Sequence, residues 1–99
     1  MLAAATKPGI GKVVEMLDSL ALKKDAISNA EFSAALRAAE QAFPGGKAAF
    51  IKFAARVCRT SLGTIMRWRD GQSAPAEAGR KPALKAISDE IYRTQLGFS

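Results

Sequence analysis

Residues 54–75 read AARVCRTSLGTIMRWRDGQSAP and contain two short helical patterns separated by a tight break. Small and apolar residues recur at helical spacing in the first pattern, and residues 58–61 interrupt it. In the second pattern Ile65 and Trp68 are three positions apart, which puts both on one helical face. We expect both to be buried against the preceding helix, at Phe50, Ala54 and Val57. The outer face of the second helix is then formed by Leu62, Gly63, Thr64, Met66 and Arg67. Gly71 then ends the pattern, as glycine commonly does after a helix. The stretch therefore predicts two packed helices joined by a short turn.

Helical periodicity also runs outward from this stretch in both directions. Twenty of the 99 residues are alanine, whereas Val, Ile and Thr total thirteen, and this balance favours helices over strands. Ser28 and Glu31 match a capping box, and Pro82 suits the first turn of the last helix. We therefore predict an all-α fold, a small bundle of about five helices. They fall near residues 10–22, 28–43, 47–57, 62–69 and 82–96.

The chain is long enough for one domain with a modest core, since a chain of this size buries roughly 65% of its unfolded surface. Residues 1–9 show no periodicity and are interpreted as a flexible arm. Residues 10–27 form an additional helix and linker, and residues 28–99 the main domain. The apolar stripe of the first helix and that of the last helix (Leu84, Ile87 and Ile91) are each either core or a dimer surface.

Positive charge is concentrated in one part of the chain. The formal net charge is +6, but residues 46–85 alone hold nine basic and two acidic residues, a net of +7. A basic half beside a near-neutral half is typical of a surface that binds a polyanion. A solvated surface without a partner gives the same pattern, so charge alone leaves both interpretations open.

Several classes of protein are excluded or disfavoured by composition. Cys58 is the single cysteine, so an intrachain disulfide and a cysteine-based zinc site are excluded. Histidine is absent and no nucleophile–base pair is visible, so we expect neither an enzyme nor a cofactor. No apolar run spans a bilayer and no signal peptide is visible, which leads us to expect a cytoplasmic protein without a membrane partner. Cys58 itself is either a small core residue or, beside Arg59, a thiol with a lowered pKa.

The spacing of small, hydroxyl, aromatic, glycine and proline residues in 54–75 resembles the helix-turn-helix of the lambda-repressor-like family, which includes phage repressors, Cro proteins and small bacterial regulators. The matching residues are Ala55, Ser61, Thr64, Ile65, Trp68, Gly71 and Pro75. The resemblance covers residues 45–75 closely and 28–96 loosely, and leaves 1–27 unexplained. It implies a sequence-specific DNA-binding transcriptional regulator of bacterial or phage type, a nucleoid-associated homodimer on double-stranded DNA.

The resemblance also implies a recognition helix at about residues 62–69 in the major groove. The implied base contacts are Leu62, Gly63, Thr64 and Arg67. The implied phosphate contacts are Lys47, Lys52, Arg59, Ser61 and Ser73. Arg67 can bond guanine O6 and N7 together, although a contact with phosphate is the alternative. Leu62 and Gly63 depart from the polar readers that the family often carries there, and Leu62 can touch a thymine methyl. Arg59 stands where the family often has glycine, and a left-handed backbone there would be strained.

Two other classes of function stay open at this point. The first is a protein–protein adaptor, such as an antitoxin or anti-activator, whose basic surface binds an acidic regulatory protein; the additional helix at 10–27 favours it. The second is a small enzyme, which the missing histidine disfavours. Two packed helices of an ordinary bundle would explain the periodicity of 54–75 without explaining its clustered charge.

Overall fold

The structure, a computed structural model, describes residues 9–95 and contains five α-helices and no strand in that range. The helices are α1 (Ile10–Ala21), α2 (Asn29–Ala42), α3 (Gly46–Cys58), α4 (Leu62–Asp70) and α5 (Glu77–Gln95). The prediction of a small all-α bundle of five helices is confirmed for these residues. Residues 1–8 of the predicted arm, and the end of the last predicted helix at residue 96, lie outside the described range.

A single apolar core receives side chains from every helix. Each of the five contributes at least one large residue that is fully buried, namely Leu17, Phe32, Phe50, Ile65 and Ile87. Burial of a side chain of this size stabilises a fold by about 1.5–3 kcal/mol relative to exposure. The residues at 10–27 thus share one core with the rest of the described chain.

The most extensive contact between helices joins α1 to α5. Their apolar stripes are buried, and a polar bond supplements them, because Ser88 Oγ donates to Asp18 Oδ1 at 2.6 Å. Lys85 Nζ lies 3.6 Å from the same carboxylate oxygen. The buried residues of the two helices are Val13, Val14, Leu17, Leu84, Ile87, Ser88 and Ile91. Both stripes are therefore core, and neither is open for a dimer contact.

The start of α2 confirms the capping box. Ser28 Oγ accepts a hydrogen bond from the Glu31 amide at 3.0 Å, and the Ser28 amide donates to the Glu31 carboxylate at 2.8 Å. Lys23 Nζ donates to the other oxygen of Glu31 at 2.7 Å, and these two partners lower the pKa of that carboxyl group. The pair of hydrogen bonds satisfies two amides that a helix leaves without partners at its start.

The start of α5 differs from the prediction. The helix begins at Glu77, so Pro82 lies inside it instead of in its first turn. The acidic side chain of Glu77 in the first turn favours this earlier start, because negative charge stabilises the amino end of a helix. Arg80 also stabilises this first turn, because its guanidinium donates to the carbonyl oxygens of Pro75 and Ile27 at 3.0 Å each. Pro82, which has no N–H, leaves the Ala78 carbonyl without its helical donor.

Candidate nucleic-acid interface

The turn between α3 and α4 consists of residues 59–61. Arg59 has φ 56° and ψ 50°, and it is the single non-glycine residue with positive φ in the described chain. The Arg59 amide donates to the Arg56 carbonyl at 3.3 Å and the Thr60 amide to the Ala55 carbonyl at 3.0 Å. These bonds end α3 in a left-handed residue, a conformation that costs a non-glycine residue about 1–2 kcal/mol. The strain foreseen at this position is therefore present.

Small side chains allow α3 and α4 to approach each other. Ala54 and Ile65 are fully buried, as the sequence predicted for this pair of helices. Trp68 differs from the prediction, because it is only half-buried and its ring meets Phe32 of α2 edge-on, with centroids 5.6 Å apart. Val57, one of the residues expected to pack against Ile65 and Trp68, is also half-buried. The indole is thus a bridge from α4 to α2.

The first turn of α4 carries a short chain of polar bonds. Ser61 Oγ caps the helix by accepting from the Thr64 amide at 3.1 Å, and the same hydroxyl donates to Thr64 Oγ1 at 2.9 Å. Arg67 Nη2 donates to Thr64 Oγ1 at 3.1 Å. A methyl group added at Gly63 would lie 3.6 Å from Arg67 Nη1, so the guanidinium lies back over this first turn. These hydrogen bonds thus fix the side chains of Ser61, Thr64 and Arg67, three of the predicted DNA contacts, relative to one another.

An apolar groove of about 270 Å³ lies between α3 and α4. Leu62 and Met66, one helical turn apart on α4, form one wall and are 48% and 43% exposed. Ile51 forms the base on the α3 side, and Lys47 and Lys52 stand beside it. Ala48 completes the lining. Sequence reasoning proposed Leu62, Lys47 and Lys52 as DNA contacts but missed that they share a groove with Met66 and Ile51. The four-residue spacing of Leu62 and Met66 was the available signal.

The basic residues of the 46–85 block fall into two groups. Four of them bond to other parts of the chain: Arg69 to Glu40 and Asp70, Arg80 to two carbonyls, Lys81 to the Lys23 carbonyl, and Lys85 to Asp18 and Asp89. Within residues 9–95, the remainder form no ion pair. They are Lys47, Lys52, Arg56, Arg59 and Arg67. Carboxylates therefore balance the charges of Arg69 and Lys85 alone, and the second group lies on α3, on α4 and in the turn between them.

The carboxyl end of α4 is fixed to α2. Ser33 Oγ donates to the Arg69 carbonyl at 2.9 Å, and Arg37 Nη1 donates to the same carbonyl at 3.0 Å. The Arg69 guanidinium bonds both carboxylate oxygens of Glu40, with Nη2 3.1 Å from Oε2. This pair is largely buried, since 22% of the Arg69 side chain and 13% of the Glu40 side chain are exposed. The pair raises the pKa of Arg69. Arg69 thus serves packing, although it lies two positions from Arg67.

Two predicted phosphate contacts lie away from the groove. Arg59 lines a separate pocket with Arg56 and with Asp89, Glu90 and Arg93 of α5. Ser73 is half-buried in the link between α4 and α5. The structure therefore brings Lys47, Lys52 and Leu62 together at the groove. Beside it, the Arg67 guanidinium lies over Ser61, Gly63 and Thr64 at the start of α4, whereas Arg59 and Ser73 lie elsewhere.

The environment of Cys58 favours its interpretation as a core residue. Its side chain packs against the core at the end of α3. Burial raises the pKa of the thiol to about 11, the opposite of the shift that a neighbouring arginine would produce. The thiolate, which is the reactive form, is therefore scarce at neutral pH.

Other kinds of site are not apparent in the part of the chain that the structure describes. Residues 9–95 contain no group of three or more His, Cys, Asp and Glu side chains arranged to hold a metal ion. None of the helices in this range has both the length and the apolar character needed to cross a membrane. No protein-family model matches the chain, and comparison with curated proteins and with solved structures gave no significant match.

Proposed function

We propose that the chain is a sequence-specific DNA-binding transcriptional regulator of lambda-repressor-like, helix-turn-helix type, with α4 as the helix that enters the major groove. One observation carries the proposal: within residues 9–95, Lys47 and Lys52 form no ion pair and border the exposed side of α4, whereas Arg69 and Lys85 of the same block are paired with carboxylates. A folded chain that leaves cations unpaired around one exposed helix presents a surface suited to a polyanion.

Lys47 and Lys52 take the role of phosphate contacts. Both stand on α3 beside the groove, and both are exposed. A lysine contributes a point charge to a phosphate and carries no information about the base. They position α4 on the duplex without selecting its sequence.

Arg67 takes the role of base reader. It is exposed on α4, and its bond to Thr64 Oγ1 holds the guanidinium over the first turn of the helix. A guanidinium can donate two parallel hydrogen bonds to guanine O6 and N7. Fixing the side chain before binding reduces the entropy lost when it meets the base.

We propose further that two copies bind one operator, with half-sites about 34–36 Å apart, because each chain offers one α4. The apolar stripes of α1 and α5 are buried within the chain, so the surface that joins the two copies lies elsewhere.

The test is duplex binding across a salt series, measured by fluorescence anisotropy. With ~4 phosphate contacts per subunit, log K should fall with log salt with a slope of about −3.5 per subunit. Lys52→Ala should weaken binding to every duplex about equally and reduce the slope by about 1. The matched control is Lys12→Ala, an exposed lysine of α1, a helix that contacts neither α3 nor α4. Absence of duplex binding, or binding that does not change with salt, would refute the proposal.

The groove between α3 and α4 supports a second candidate, a protein–protein adaptor. Leu62 and Met66 are large, apolar and exposed, and the lysines beside them would attract an acidic protein. An adaptor of this kind would bind its protein partner and would show no salt-dependent affinity for duplex DNA. The salt series above therefore separates the two candidates.

A further inference from the structure

We propose that the groove between α3 and α4 recognises the 5-methyl group of pyrimidines in the major groove, so that the protein prefers thymine over unmethylated pyrimidines. This inference rests on the proposed function and assigns to the groove a chemical target. Its occupant is the methyl group of thymine, or of 5-methylcytosine, which presents the same group at the same position of the ring.

The walls of the groove are apolar. Leu62 is the first residue of α4 and Met66 follows one turn later, so their side chains lie on one face of the helix. Ile51, which is 5% exposed, closes the groove from α3. Roughly half of the surface of Leu62 and of Met66 is left in water, and covering it with another apolar group is favourable.

The groove offers little hydrogen bonding. Its lining consists of alanine, isoleucine, leucine and methionine side chains and two lysines. Apart from small ring C–H groups, the base edges in the major groove present hydrogen-bond donors and acceptors, and the methyl group of thymine is their one bulky apolar group. A donor or acceptor held against these apolar walls would lose its water without gaining a partner, which is unfavourable. Among the groups of the bases, the methyl group is therefore the one whose chemistry matches these walls.

The charge around the groove favours nucleic acid as the source of this methyl group. Lys47 and Lys52 stand beside the apolar walls, and within residues 9–95 neither forms an ion pair. In a duplex, the base methyl groups lie inside the major groove and phosphates line its edges. An apolar centre beside cations thus matches both parts of one ligand.

The test uses four alternating duplex polymers that form two pairs. Within each pair, the two polymers differ only in the methyl group at C5 of the pyrimidine. The four polymers are poly(dA-dT), poly(dA-dU), poly(dG-dC) and poly(dG-5-methyl-dC), each measured at one fixed salt concentration. We expect binding to be about fourfold tighter for each methyl group covered, the equivalent of about 0.8 kcal/mol per buried CH₂ group. The preference should appear in both pairs, because the methyl group is the shared difference.

Substitutions in the groove test whether Leu62 and Met66 cause the preference for methylated pyrimidines. Leu62→Gln and Met66→Gln should each reduce the ratio of affinities for poly(dA-dT) over poly(dA-dU) toward one, while the salt dependence stays. The matched control is Leu22→Gln, since Leu22 is 80% exposed and lies after α1, a helix that contacts neither α3 nor α4. This control should keep the full ratio.

The outcomes separate this inference from the proposed function. Salt-dependent binding with equal affinity for the members of each pair would overturn the inference and leave DNA binding intact. The same holds if the ratio is present but unchanged by Leu62→Gln and Met66→Gln, because the methyl group would then be read elsewhere. Absence of binding to all four polymers would refute the proposed function together with the inference.

Discussion

The two ends of α4 are built for different purposes. At the carboxyl end, Ser33, Arg37 and Glu40 of α2 bond the Arg69 carbonyl and guanidinium, so the end is tied to the rest of the bundle. At the amino end, Ser61 caps the helix locally and no bond to another helix is present among the described residues. One helix thus combines a fixed end with an exposed end.

The difference teaches that neighbouring residues of the same type can have separate roles. Arg67 and Arg69 are two positions apart, yet among the described residues the Arg67 side chain bonds only to Thr64 of its own helix, whereas the Arg69 side chain pairs with Glu40, 29 positions away. Helical geometry causes this, because residues two apart face different directions. Four substitutions test the contrast, in order of the effect we expect.

Trp68→Ala should have the largest effect, and it should act on stability. Trp68 joins α4 to Phe32 of α2 with ring centroids 5.6 Å apart, and its removal should lower the free energy of unfolding by about 3 kcal/mol. Thermal and urea unfolding measure this loss. Below its melting temperature the variant should still bind duplex DNA. An unchanged midpoint with lost DNA binding would mean that the indole stacks on nucleic acid instead.

Arg67→Ala should act on binding and leave stability almost unchanged. We expect a loss of about 1–3 kcal/mol on the preferred site and a weaker preference at one base pair. Affinities for a selected operator and a random duplex, at one salt concentration, provide the measurement. Equal weakening on both duplexes would make Arg67 a phosphate contact.

Arg69→Ala should have the reverse pattern. It leaves the largely buried Glu40 carboxylate without its partner and should lower the free energy of unfolding by about 1–2 kcal/mol. DNA affinity of the folded variant should change less than it does in Arg67→Ala. Urea unfolding of the two variants side by side tests the comparison, and an equal loss of stability in both would contradict it.

Arg59→Gly should have the smallest effect and should stabilise the protein. Glycine adopts the left-handed conformation of this turn without the steric penalty that Arg59 bears at φ 56°. Because glycine also loses more entropy on folding, we expect a net gain of at most about 1 kcal/mol. A lower melting temperature would show that the Arg59 side chain contributes contacts that outweigh the strain.

The sequence predicts structure that depends on neighbouring residues, but it does not predict hydrogen bonds between residues far apart in the chain. The capping box of Ser28 and Glu31 lies within four residues, and its chemistry is complete in the sequence itself. The start of α5 is different, because the preference of Pro82 for a first turn is visible in the sequence whereas the partner of Arg80 is not. Arg80 donates to the carbonyl of Ile27, which lies 53 positions away.

The site shows the same division between local and distant information. The exposed position of Leu62 and Arg67 followed from helical spacing. That Lys85 is held by Asp18, and that Arg69 is held by Glu40, depends on how helices meet in three dimensions. A count of charge along the chain cannot separate cations that face a partner from cations that face a carboxylate.

The contact between α1 and α5 bears on how the chain folds during translation. Asp18 and Ser88 are 70 positions apart, so α1 leaves the ribosome well before the helix that covers it. At usual rates of synthesis the interval is roughly 4–14 s, during which the apolar face of α1 has no native cover from α5. The last step of core formation is therefore a long-range closure, which is slow in comparison with helix formation. A chain that ends before α5 would leave the apolar face of α1 without its cover from that helix, and exposed apolar surface of this kind promotes aggregation.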